Sequence, residues 1–189
     1  MRILKRFSDD GPVLMVPDYH SDERGYFYES FNQRWFNENI SNSVFCQDNQ
    51  SFSKYGVLRG FHLQLPPFEQ AKLVRVVNGA VIDVAVDIRK DSKDFGKAYQ
   101  VLLTEANQFQ FYIPRGFAHA FLACENGTVF QYKCDNFYAP QSERCIVWND
   151  DTIGFDWTKY IDYESLIISS KDNKGCNLKT IADEREKSL

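Results

Sequence analysis

Long apolar runs are missing from these 189 residues. No stretch approaches the roughly 20 apolar residues that a helix needs to span a bilayer. The start, MRILKRFSDDGPV, has basic residues but no apolar stretch long enough for the core of a secretion signal. The expectation is a cytoplasmic protein without membrane contact. Cysteine is sparse and scattered. The five residues (Cys46, Cys124, Cys134, Cys145, Cys176) are odd in number and contain no C-x-x-C pair. Reduced, partly buried thiols fit this pattern better than disulfides or structural zinc. A basic excess is absent too: 22 Lys and Arg against 26 Asp and Glu leave a net charge of −4. That argues against nucleic acid as the main partner.

Chemical motifs are absent in the same informative way. There is no H-x-H or H-E-x-x-H, so a metal centre is disfavoured. There is no G-x-S-x-G nucleophile elbow. Neither a P-loop nor G-x-G-x-x-G occurs, which removes NTP hydrolysis and Rossmann cofactors. Repeats, low-complexity segments and linkers are lacking, so residues 1–189 read as one domain. What remains available is acid–base chemistry by histidine, lysine, tyrosine and carboxylates.

What is present points to strands. Aromatics are plentiful, with 16 Phe, 10 Tyr and 3 Trp, and they suit pleated, half-buried surfaces. Strand candidates are 57–63, 72–77, 80–88, 99–103, 109–113, 118–123, 128–133 and 145–148. In the third run, Val81, Asp83, Ala85 and Asp87 share one face, and Ile82, Val84, Val86 and Ile88 the other. Asn78-Gly79 between two β-branched runs predicts a tight hairpin. Spacing of about ten residues predicts a sandwich or barrel rather than βαβ units. Helix is expected only at the periphery, over 31–40 and 178–186. The charged tail, 183–189, is the one segment expected to be disordered.

Three histidines exist. His20 reads as structural. His62, in VLRGFHLQ, is followed ten residues later by Lys72 after Pro66-Pro67, so a hairpin would bring them together. His119, in IPRGFAHAF, lies just past turn residues, where a barrel mouth places site residues. Tyr132, in VFQYKCD, reads on its own as a core tyrosine.

Eight segments then appear in order: DERGYFYESFN, FCQDNQSFS, VLRGFHLQ, AKLVRVVNGAVIDVAVDIRKDS, FYIPRGFAHAFL, YKCDNFYAPQSER, WNDDTIGFDW and SSKD. From Asp22 to Asp172 the chain resembles the dTDP-4-dehydrorhamnose 3,5-epimerases. The resemblance implies an all-β, cupin-like jelly-roll barrel with short peripheral helices, a homodimer, no cofactor and no metal. It implies inversion at C3 and C5 of a dTDP-linked 4-keto-6-deoxyglucose. It assigns His62 as base, Asp172 as its orienting acid, Lys72 at the C4 oxygen and Tyr132 as proton donor on the opposite face. Arg24 and Arg59 match diphosphate-binding positions. Gln47, Asn49, Tyr138 and Glu143 match positions around nucleotide and sugar, Glu29 a further binding position, and His119 the sugar pocket. A 3- or 5-monoepimerase or a ketoisomerase on a related sugar is the neighbouring reading. Phe61, Ala71 and His20 depart from the family pattern and are expected to change the shape of the pocket.

One parity conflict stands out. Arg59 and His62 are an odd number of residues apart, so a regular strand would send them to opposite faces. Either the strand bends near Gly60, or the two reach ligand from different sides.

Overall fold

A computed structural model describes all 189 residues, Met1–Leu189. The chain runs through β1 (Arg2–Arg6), β2 (Val13–Val16), a small hairpin of β3 (His20–Asp22) and β4 (Gly25–Phe27), and helix α1 (Gln33–Asn39). There follow β5 (Gln47–Ser53), β6 (Val57–Gln64), β7 (Lys72–Asn78), β8 (Ala80–Asp87), β9 (Ala98–Thr104) and β10 (Gln110–Ile113). Then come β11 (Phe117–Ala123), β12 (Thr128–Cys134), β13 (Glu143–Cys145), β14 (Ile167–Ile168) and helix α2 (Leu178–Glu186). No helix is long and apolar enough to cross a membrane.

Two sheets face each other in a cupin-like jelly roll. One has the order β1-β2-β10-β7-β12-β5, the other β13-β6-β11-β8-β9 with β14 beside β6. Alternation along each strand sorts the side chains as the pleat requires. Val74, Val76, Phe111 and Phe130 from the first sheet meet Val81, Ala85, Phe117 and Phe121 from the second in the barrel interior. Ile82, Val84, Val86 and Ile88 point the other way, onto Trp157, Leu178 and Ile181 of the C-terminal segment. The expected split of β8 into two faces is therefore what the chain adopts. The outer face of the first sheet buries Leu73 and Tyr112 under Phe36 of α1. Each such fully buried aromatic or aliphatic side chain contributes about 1.5–3 kcal/mol.

Several expectations change here. Asn78-Gly79 is not a hairpin. Strand β7 pairs with β10 and β12, and β8 pairs with β11 and β9, so this dipeptide is the corner where the chain crosses between sheets. Gly79 is still required: its φ is +83°, and a Cβ would meet Thr128 Oγ1 at 2.6 Å. The turn residues mark a corner, but partner choice was decided by which sheet buried each face. The strand read at 145–148 is shorter and earlier, Glu143–Cys145, with Ile146 making a lone bridge to Cys176. Helix α1 begins after Asn32, whose side chain accepts from the Trp35 amide at 3.1 Å and caps it. Phe31 therefore lies outside the helix and packs on Phe36. The tail is more ordered than its charge suggests. Helix α2 reaches Glu186, and buried Arg185 pairs with Glu69 at 2.9 Å. All five cysteines are free thiols.

Candidate active site

Strand β6 carries the central residue. Its register against β11 pairs His119 with His62 and Phe121 with Arg59, so three steps on β6 oppose two on β11. This is a one-residue bulge. Gly60 occupies it with φ +116°, and a Cβ there would lie 2.4 Å from the His119 carbonyl oxygen. Only glycine fits. The extra residue corrects the parity conflict: Leu58, Phe61 and Leu63 all join the outer core, while Arg59 and His62 share the barrel face. The bend near Gly60 is thus the alternative the chain uses. Phe61 faces Trp157, with ring centroids 6.0 Å apart, and Ala71 lies buried under α1. Neither departure from the family pattern touches the pocket, contrary to expectation. His20 lies on the β3–β4 hairpin, lining a surface recess with Arg24 and Phe27.

A cavity of about 220 Å³ opens between the sheets, lined by Gln47, Asn49, His62, Lys72, Tyr132, Tyr138 and Glu143 among others. His62 and Lys72 do not meet through a hairpin. They stand on different sheets and face one cavity from opposite walls. Lys72 Nζ sits 5.7 Å from the Tyr132 ring centroid. Burial lowers the Lys72 pKa, and Cys134, Asp83 and Glu143 oppose that shift. Burial raises the Tyr132 pKa, which keeps the phenol protonated as a donor should be.

His62 Nε2 lies 2.6 Å from Asp172 Oδ1. The imidazole side chain is 31% exposed and the carboxylate 5%. Burial pushes Asp172 up, but the hydrogen bond and charge of His62 outweigh it and hold the carboxyl below its ordinary value. The short turn Asp172–Lys174 and the bond from the Asp172 amide to Ser169 Oγ, 3.1 Å, fix the acid in place. With Nε2–H donating to Asp172, the ring's basic lone pair is on Nδ1.

The remaining assigned residues divide. Glu143 accepts from Tyr138 Oη at 2.9 Å and pairs with Lys171 at 2.6 Å. Burial pushes Glu143 up, yet bonds from Lys171 and Tyr138 prevail and lower it. Gln47 accepts from the Tyr138 amide at 3.0 Å and donates to Asn49 at 3.2 Å. Arg59 donates to Ser53 Oγ and the Phe52 carbonyl, and its charge is felt at Tyr132. His119 does not line the cavity: it is 6% exposed, with Nε2 2.9 Å from Asp83 Oδ2. Burial lowers its pKa, and the Lys72 and His62 charges add to that, so the ring is neutral near pH 7. Arg24 and Glu29 are also elsewhere in the chain's own fold. Arg24 binds Asp22 at 2.5 Å, and Glu29 accepts from Asn32 at 3.0 Å.

Two residues were not singled out from sequence. Lys171 precedes Asp172 in SSKD and reached notice only through its pairing with Glu143. Asp83 was read as one member of an alternating strand. It is fully buried, and its Oδ1 has no hydrogen-bond partner. An acid between Val81 and Ala85 on the inward strand face was the available signal.

A family model described as dTDP-4-dehydrorhamnose 3,5-epimerase matches residues 8–180. The chain belongs to that family. Its members are isomerases, and so is this protein. It is similar to the dTDP-4-dehydrorhamnose 3,5-epimerase of Methanothermobacter thermautotrophicus, 46% identical over 163 residues, 86% of this chain and 87% of the relative. The crystal structure of the Elizabethkingia anophelis epimerase superposes with TM-score 0.88 at 44% identity, covering 95% of this chain and 97% of that one. A Legionella pneumophila dTDP-6-deoxy-D-glucose-3,5-epimerase, solved in complex with dTDP-4-keto-L-rhamnose, gives TM-score 0.90 at 40% identity, covering 97% and 95%.

Proposed function

We propose that this protein inverts C3 and C5 of dTDP-4-dehydro-6-deoxy-D-glucose to give dTDP-4-dehydro-L-rhamnose. The observation that carries the reading is a histidine held by a buried carboxylate at 2.6 Å, in one cavity with a lysine and a tyrosine. Both carbons flank the C4 ketone, so each C–H is acidified by enolate resonance. His62 takes the proton through Nδ1 and becomes an imidazolium that Asp172 stabilises. The Lys72 ammonium meets the charge growing on the C4 oxygen. Tyr132 delivers a proton to the other face; the phenolate left behind is reprotonated from solvent, and the imidazolium releases its proton to solvent before the next round. Repetition at the second carbon completes the double inversion. The cavity is smaller than the roughly 300 Å³ lower bound of whole-ligand pockets. It takes the sugar ring, and the nucleotide lies outward over the exposed Tyr138.

The whole chain acts as one domain, and two copies pair. Arg24 and Glu29 support this pairing. The cavity wall has no arginine for a diphosphate, while Arg24 sits on an exposed hairpin whose Phe27 is 73% exposed. In the dimer the hairpin and the segment just after it carry Arg24 and Glu29 to the partner's cavity. Mixing an Arg24→Ala with a His62→Ala preparation then restores activity, because one site per mixed dimer is intact.

Incubation with the 4-keto substrate in D₂O, followed by NMR, tests the reaction. Deuterium enters at both C3 and C5. Exchange at C3 alone means a monoepimerase, and exchange at neither carbon removes the assignment.

A further inference from the structure

Behind the base stands a thiol that the epimerisation does not use. Cys145 on β13 pairs directly with His62 on β6, and directly opposed residues project to the same side of a sheet. Its Sγ lies 3.8 Å from Asp172 Oδ1. One imidazole nitrogen of His62, Cys145 Sγ and an Asp172 carboxylate oxygen all lie within 4.8 Å of one another, and Nε2 is the nitrogen that meets Asp172, at 2.6 Å. We propose that these three groups form a binding site for a soft divalent cation, Zn²⁺ or Cd²⁺, and that its occupancy switches the enzyme off.

The geometry is near what such an ion needs. Zinc bonds of about 2.3 Å to sulfur and 2.0–2.2 Å to nitrogen and oxygen give tetrahedral edges of about 3.3–3.7 Å. The sulfur–oxygen edge is already close to that. The nitrogen–oxygen edge, 2.6 Å while a proton bridges it, opens by less than about 1 Å once the proton leaves. One imidazole, one thiolate and one carboxylate make a three-ligand set of the donor types zinc takes, with a water completing the tetrahedron. Neighbouring charges permit a dication. Glu143 and Lys171 neutralise each other at 2.6 Å, leaving the thiolate and Asp172 to offset the metal.

The proton balance explains the inhibition. The thiol, pushed up to about 12 by burial and then by Asp172, releases its proton to solvent as the sulfur–metal bond forms. The metal takes the Nε2 lone pair, so the ring proton moves from Nε2 to Nδ1. No heavy atom leaves and no electron is transferred. The lone pair that the proposed reaction uses becomes an N–H, and the carboxylate that stabilises the imidazolium is tied to the metal. The loss of activity rests on the function proposed above, whereas binding of the metal does not.

The test is a Cd²⁺ titration of wild type, Cys145→Ser and Cys145→Ala, read by the ultraviolet thiolate-to-cadmium charge-transfer band and by turnover. Wild type gains a saturable band of one equivalent, loses turnover in step with it, and recovers both on chelation. Nitrogen-15 spectra of the imidazole show the protonated position changing from Nε2 to Nδ1. The variants keep basal turnover and lack that band. Their half-inhibitory Cd²⁺ concentration rises at least about tenfold, the smallest loss seen for second-sphere metal partners and therefore a floor for a ligand. The other four cysteines are present in every sample and serve as the internal control. An identical band in the variants, or equal sensitivity to Cd²⁺, overturns the proposal. Should no variant or wild type turn over the 4-keto sugar, the band and the nitrogen-15 shifts still decide the metal site, and only the epimerase reading falls.

Discussion

Two histidine–carboxylate pairs stand side by side in this barrel, directly opposite each other across β6 and β11. His62–Asp172 measures 2.6 Å and His119–Asp83 2.9 Å, so bond length barely separates them. Surroundings do. The His62 side chain is 31% exposed and opens on a cavity, while the His119 side chain is 7% exposed and sealed among Phe121 and Phe130. A base must reach a substrate and must tolerate a positive charge once it has the proton. Only the first pair opens on the cavity with a carboxylate at hand, as the base proposed above requires. The second is enclosed, and the Lys72 and His62 charges press against its protonation. The same two residue types thus yield a pair that opens on the cavity in one place and an enclosed interior pair in the other.

That contrast is sharpest in the base itself. His62→Ala costs about 10³-fold in turnover, within the range for a positioned general base, and leaves dTDP binding by calorimetry largely intact. Retained activity would break the distinction between the pairs.

The next effect belongs to the acid that holds it. Asp172→Asn costs on the order of 10²-fold in turnover, because the imidazolium loses its stabilising charge. It also changes stability in a pH-dependent way. The folded pKa of Asp172 is held below 3.8, so its contribution is complete above that value and disappears as pH falls through the folded pKa. The melting-temperature gap between wild type and variant is therefore full near neutrality and closes on strong acidification. A gap that widens in acid would reverse the sign.

A smaller effect comes from the inner pair. Asp83 turns one oxygen to His119 and leaves the other unpartnered, with its charge felt at Lys72. Burial already brings the Lys72 pKa below 10.5, so the alkaline loss of turnover starts earlier than for a free lysine. Asp83→Asn moves that limb to still lower pH and costs on the order of tenfold in turnover on the alkaline side. A variant limb that overlays the wild type would reduce Asp83 to packing alone.

The least effect is expected at Phe61, one residue from the base but on the other face. Phe61→Leu lowers stability by about 1 kcal/mol, measured in urea, and leaves turnover unchanged.

Much of the barrel was readable because period-two patterning is strong where one face is buried, as in β8. Strands such as β5 escaped notice because QDNQSFS mixes polar residues on both faces: Gln47 and Asn49 line the cavity, while Asp48 and Gln50 face outward. Tyr132, Asp172 and the binding positions entered only through the eight ordered segments, whereas His62, Lys72 and His119 also stood out by local context. No local property of Asp172 separates it from a surface turn acid, since its role depends on a partner 110 positions away. Asn78-Gly79 misled for a related reason. A dipeptide reports that the chain turns, and says nothing about which strand will lie beside it.

The bulge at Gly60 has a consequence for anyone moving this site to another scaffold. Copying Arg59 to His62 onto a straight strand turns either the arginine or the base to the barrel face, never both. Deleting one residue there would turn Arg59 toward Trp157 while His62 stayed in place. The phase of β6 is inherited as a single glycine, and a transplanted or redesigned strand must carry that offset along with the side chains.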